Sequence, residues 1–176
     1  MKKIVLFSFA LTGLFASCKK SSPAAPTYSV TATIAGTATN FTAQPPVATT
    51  QTTGNTTVIN IDGLANASTH ESIVITIDNF NGGGPIVGGK YSDTSTVFDV
   101  NATYFVNQTT QYQAGTDVYS LASPAGVTIT HHFLLTITAI NANGITGTFS
   151  GDFFSNGDPT AAVKTVTNGS FNVKFQ

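Results

Sequence analysis

The chain is poor in charge. Only 9% of its 176 residues are Asp, Glu, Lys or Arg, against about 25% in ordinary globular proteins. Arginine and tryptophan are absent, and there is one cysteine, Cys18. A nucleic-acid binder displaces counterions with a basic patch. Seven lysines and no arginine cannot build one, so nucleic acid is excluded as a partner. A single cysteine excludes an intrachain disulfide, and it supplies no cysteine cluster for a zinc or iron–sulfur site. Sugar-stacking platforms favour tryptophan, and in its absence tyrosines are the best stand-ins. Helical periodicity is missing too. In its place threonine alternates with Val, Ile and Phe, the pattern of half-buried strands.

Residues 1–17 read as a signal peptide. Lys2 and Lys3 form a basic head, and an apolar run of about a dozen residues follows from Ile4 to Phe15, too short to span a bilayer. Ala16 and Ser17 lead into Cys18, and this junction resembles the bacterial lipobox, with Phe15 standing where leucine is commonest. The resemblance implies cleavage before Cys18 and a lipid on its sulfur. Residues 18–27 then form the lipidated cysteine and a flexible tether, KKSSPAAP, whose composition cannot build a core. Residues 28–176 form a single all-β domain. The mature chain has about 159 residues, enough for a real core, and carries five lysines against eight acids.

Strands are expected at Tyr28–Ile34, Asn40–Ala43, Thr57–Ile61, Ser72–Ile77, Thr96–Val106, Gln111–Leu121 (a strand or hairpin), Val127–Phe154 and Ser170–Phe175. Gln44–Asn55 and the Gly-rich stretch Asn79–Gly89 read as loops. Within Val127–Phe154 a hairpin with a three-residue loop, Ala142-Asn143-Gly144, pairs Ile137 with Phe149, Leu135 with Gly151 and Phe133 with Phe153, keeping the apolar faces together. Gly147 and Gly151 suggest that something bulky packs over them. Eight to ten strands at this spacing point to an antiparallel β-sandwich, with a partly open β-barrel as the alternative.

The segment GVTITHHFLLTITAINANGITGTFSGDFF, followed by TVTNGSFNVKF, is similar to a pattern in small lipoproteins of the Bacteroidota. The carrying motifs are Ile145–Ser150, Thr167–Phe171, the leader's SCKK and Gly89-Lys90-Tyr91. The resemblance covers about half of the chain. It implies an uncharacterised all-β family, a lipid anchor and no activity. Lys19 after the cysteine is not the aspartate that retains enterobacterial lipoproteins in the inner membrane, so the outer membrane is favoured, on either its periplasmic or its surface face.

Chemistry is sparse. His131 and His132 are adjacent; on a strand they would point to opposite faces, His131 inward and His132 to solvent, and could not share an ion. His70-Glu71 lacks a third ligand. Asp78, Asn79 and Asn81 beside the glycine run offer oxygens for calcium, although Asp, Asn and Gly are above all turn formers. No Gly-x-Ser-x-Gly elbow exists, and Asp99 and Asp152 read as surface residues. The expectation is a non-catalytic envelope module binding a glycan or envelope protein, with Tyr112 and Tyr119 as the aromatic contacts. A structural or adhesive surface protein is the alternative, and a hydrolase comes third.

Overall fold

A computed structural model describes residues 27–80 and 82–176. The expected leader, Cys18, residues 19–26 of the expected tether and Asn81 lie outside the described residues. The strands are β1 (Ser29–Ile34), β2 (Thr37–Asn40), β3 (Val47–Thr53), β4 (Thr56–Asn66), β5 (Glu71–Asp78), β6 (Gly89–Ser92), β7 (Asp99–Phe105), β8 (Gln111–Gly115), β9 (Leu134–Asn141), β10 (Gly144–Ser155) and β11 (Val163–Phe175). One short helix, α1 (Thr116–Ala122), follows β8. Among the described residues no helix is long and apolar enough to cross a membrane.

The chain is all-β and mostly antiparallel, as the alternation of threonine with apolar residues predicts. Its eleven strands hydrogen-bond as one sheet, in the order β2-β1-β11-β3-β4-β5-β7-β8-β10-β9-β6, and β10 also pairs with β11. That extra pairing joins distant parts of the sheet and partly closes it into a ring. Two junctions of the ring are brief. β11 meets β3 in parallel only at Lys174–Val47 and Phe175–Ala48, and β10 meets β8 only at Phe154–Gln113 and Ser155–Tyr112.

Alternation puts one face of each strand inside. Ile59 and Ile61 of β4 lie opposite Ile77 and Ile75 of β5, and Val100, Ala102 and Tyr104 of β7 continue the layer. Phe41, Phe133, Phe153 and Phe171 fill the centre, with edge-on contacts Phe41–Tyr104 and Phe133–Phe153. Phe171 packs directly over Gly147, where a Cβ would strike its ring. The bulky cover expected over that glycine is therefore the closing strand itself.

Several boundaries differ from the sequence expectations. β3 lies inside the expected loop Gln44–Asn55. Only Ala48 of this strand is buried, so it has no apolar stripe to announce it, and full backbone pairing with β4 holds it. β2 comes earlier than Asn40–Ala43, and β11 begins at Val163 rather than Ser170. The β9–β10 hairpin turns through Ala142-Asn143, with Asn141 opposite Gly144. Gly144 is the first residue of β10, not part of the turn, and its φ is not positive. A bulge at Thr138 then restores the inward register. Ile140 faces Ile145, Ile137 faces Gly147, and Leu135 faces Phe149. The expected loop kept the faces together by adding a residue to the turn; the protein adds it inside the strand.

Candidate functional site

The site arises where β10 changes neighbour. Its first half pairs with β9 and its last two residues with β8, leaving a gap of a few residues along its edge. Residues 131–133 fill that gap. Asp152 N–H donates to the His131 carbonyl at 2.9 Å, and Asp93 N–H, just past β6, donates to the Phe133 carbonyl at 3.1 Å. Gly151, with φ +153°, permits the approach: a Cβ there would lie 2.7 Å from the Phe133 Cα.

Two aspartates clamp the two histidines. Asp93 is 2% exposed; its Oδ1 lies 2.9 Å from His132 Nδ1, and its Oδ2 accepts the Phe133 N–H at 2.9 Å. Ser92 Oγ adds a longer bond to Oδ1 at 3.2 Å. Asp152, also buried, places Oδ2 3.1 Å from His131 Nδ1 and accepts the Thr165 hydroxyl on Oδ1 at 2.7 Å. Asp152 is thus not the surface residue the sequence suggested. A buried carboxylate needs several donors; Asp93 finds them in His132, the Phe133 N–H and Ser92, and Asp152 in His131 and Thr165.

This corrects the strand placement of the histidines and the inward direction expected of His131; His132 is exposed, as expected. Val127–Phe133 is not part of β9, and both imidazoles are outside the core, with side chains 65% and 44% exposed. Short Thr-apolar alternation looks the same in a strand and in an extended segment tied down by side chains. The two rings diverge toward different aspartates. No group of three or more His, Cys, Asp or Glu among the described residues is arranged to hold a metal.

α1 completes the site. Gly115 at φ +116° ends β8, and Asn101 Oδ1 accepts the Asp117 N–H at 3.1 Å. Thr116 Oγ1 accepts the Val100 N–H at 3.1 Å, which ties the helix start to β7. Val118 and Ala122, one turn apart, bury against Ile129 and Phe154 in a small second core. Seven residues with a single i, i+4 apolar pair give too little periodicity to read, which is why Gln111–Leu121 resembles a strand or hairpin. Between α1 and the segment 126–132 lies an open cleft of about 410 Å³. Tyr119, Ser123, Thr128 and His132 give it polar and aromatic walls, and Ala122, Val127 and Ile129 an apolar floor. The Tyr119 and His132 rings stand 5.5 Å apart, tilted by 58°.

The other candidate residues fall elsewhere. Tyr112 is on β8, with Lys164 Nζ 5.0 Å from its ring centroid, and is not among the residues lining the cleft. Tyr112 and Tyr119 therefore do not share a site. Asn79 is buried: its Oδ1 accepts the Thr57 N–H at 2.6 Å, and its amide donates to the Gly84 carbonyl at 3.1 Å. Asp78 Oδ1 accepts the Phe80 N–H at 2.9 Å, a turn-forming contact. Asp78 faces Asp99 across the β5–β7 pair, and burial together with the charges of Asp78 and Asp117 raises the Asp99 carboxyl above its ordinary range. Glu71 accepts the Tyr104 hydroxyl at 2.7 Å, while His70 lies beside Gln108, so those neighbours serve separate contacts.

Comparison with family models, curated proteins and solved structures finds no match to this chain.

Proposed function

We propose that the protein is a lipid-anchored module of the cell envelope, held in the outer membrane through Cys18, that binds a ligand in the cleft beside α1. The observation that carries the anchor is the leader itself: a basic head, a short apolar run, small residues and a unique cysteine, followed by a tether without core-forming residues. The similarity of the leader and the C-terminal half to small Bacteroidota lipoproteins supports the same reading.

The cleft is lined by aromatic, hydroxyl and apolar side chains together. It lies within the size range of small-molecule sites, about 300–1,000 Å³, and combines an apolar floor with a few polar groups. The binding reading is preferred to a hydrolytic one because the nearby carboxylates already have tasks. Asp93 holds His132 and the Phe133 N–H, and Asp152 holds His131 and Thr165. Strand pairing also separates the cleft from the tether. The chain enters beside Asn172, whose side-chain amide donates to the Thr27 carbonyl, whereas the histidine segment joins the sheet beside Asp152, opposite Thr165. Seven residues along β11 separate those levels, about 20 Å at strand rise.

Cell fractionation tests the reading. Wild-type chain is expected in the membrane pellet and to be released by detergent. Cys18→Ala is expected in the soluble fraction or retained as uncleaved precursor. A Cys18→Ala chain that is processed and pellets as wild type does would overturn the anchor.

A further inference from the structure

We propose that the α1 cleft binds a neutral ring bearing hydroxyl groups, such as a hexose or pentose unit of a glycan. The proposal rests on the binding-module reading and supplies its ligand class.

Three features of the cleft converge on that chemistry. The first is the state of His132. Asp93 is buried, and its carboxylate accepts from Nδ1 at 2.9 Å, so Nδ1 carries a proton and is committed inward. Nε2 is the ring nitrogen left for a ligand. It accepts when the imidazole is neutral and donates when it is charged. A hydroxyl satisfies both states, because it is donor and acceptor at once; a ligand group with only one of these abilities satisfies one state. The carboxylate behind the ring fixes its orientation as well as its tautomer, as expected of a group prepared for contact.

The second feature is the wall geometry. Tyr119 and His132 are inclined at 58°. A flat aromatic ligand stacked on one ring would meet the other at a steep angle. The two rings touch, their centroids 5.5 Å apart, so a sugar ring would rest on the corner they form, with a C–H face on Tyr119 and an edge hydroxyl toward His132, and not between them. The hydroxyls of Ser123 and Thr128 line the same cleft and extend the hydrogen-bonding rim. The third is charge. The lining contains no Lys, Asp or Glu, which leaves His132 as its one basic side chain and gives a charged ligand no second charged partner. Val127, Ile129 and Ala122 form the floor, suited to the C–H patches of a pyranose.

The experiment uses the mature lipidated protein in detergent micelles, labelled with 15N and 13C. It is titrated with cello-, malto-, manno- and xylotetraose, with inorganic phosphate and a neutral tetrapeptide as contrasting probes. At least one saccharide is expected to shift the Tyr119 and His132 ring signals saturably, with phosphate and peptide leaving them unchanged. Tyr119→Ala and His132→Ala should each weaken that binding at least five-fold, and Tyr112→Ala should leave it unaltered. Before ligand is added, the imidazole 15N signals of His132 should report a protonated Nδ1. Asp93→Asn should abolish that signature and weaken binding, whereas a merely structural aspartate would leave the tautomer unmoved. The proposal is overturned if no saccharide shifts the cleft signals, if binding survives both Tyr119→Ala and His132→Ala, or if phosphate or peptide occupies the cleft in preference. Failure of the saccharides with normal membrane fractionation rejects the ligand class alone. Fractionation that ignores Cys18→Ala rejects the anchor reading, whatever the sugars do.

Discussion

The phenol of Tyr104 sits in the core against Phe41 and donates to Glu71 at 2.7 Å. Burial, and then the hydrogen bond to Glu71, hold its proton well above the ordinary phenol range. In alkaline titration Tyr104 should therefore keep its proton above the ordinary phenol range. Unfolded Tyr104 would lose its proton near pH 10 while the folded residue keeps it, so stability should fall as pH rises above that point. Tyr104→Phe should reduce that alkaline loss, as followed by thermal melting at pH 9 and 11. Asp62 is the acidic counterpart. Burial on β4 raises its carboxyl, so the folded state binds the proton more tightly than the unfolded chain. Ionised Asp62 then costs stability at neutral pH, and the cost fades as pH falls through the folded-state value. Asp62→Asn should raise Tm at pH 7, with a smaller gain at pH 3. Gly151 carries a steric constraint instead. Its φ of +153° and the nearby Phe133 backbone leave no room for a Cβ. Gly151→Ala should destabilise by about 1–3 kcal/mol, measured by urea unfolding. Gly147 and Gly151 stand out in the sequence as places where something packs closely, but their partners, Phe171 and the Phe133 backbone, are long-range and invisible to local pattern.

At the scale of elements, strands with apolar alternation were legible and those without it were not. β4, β5 and β7 show their buried faces in Ile59/Ile61, Ile73/Ile75/Ile77 and Val100/Ala102/Tyr104. β3 hides because its neighbour supplies the pairing and its side chains stay mostly outside. The β9–β10 register was misread because a bulge and a longer turn solve the same facing problem, and composition does not choose between them. The cleft was half legible. Tyr119 stands out in the sequence as a candidate aromatic contact, yet α1, which carries it, is too short to announce itself. The pairing of His132 with Asp93 spans 39 positions in sequence, and no spacing rule connects them. α1 depends on its docked face. Val118→Asp places a charge in the small core with Ala122, Ile129 and Phe154. Amides of residues 116–132 should then lose protection in hydrogen exchange while β4, β5 and β7 keep theirs. Uniform loss across the sheet would instead show that α1 and the sheet unfold as one unit.

For the whole molecule, the long strands β10 and β11 connect everything else. β11 pairs with β1, β10 and β3, and β10 with β8, β9 and β11. The seam between them is packed by Phe171 over Gly147, and Phe171→Ala should cost about 3–5 kcal/mol, a large share of the stability of a domain this size. The all-β class follows from threonine-apolar alternation, but partial ring closure does not, because the two brief junctions that achieve it involve only two residue pairs each. The proposed envelope location of the domain rests on the expected leader, residues 1–17, and on Cys18. The most direct test is intact-mass spectrometry of the chain purified from membranes of cells expressing the full sequence. The account predicts a mature chain that begins at Cys18 and carries the added mass of a diacylglycerol on its sulfur. A chain with an unmodified Cys18, or one cleaved at another position, would contradict it.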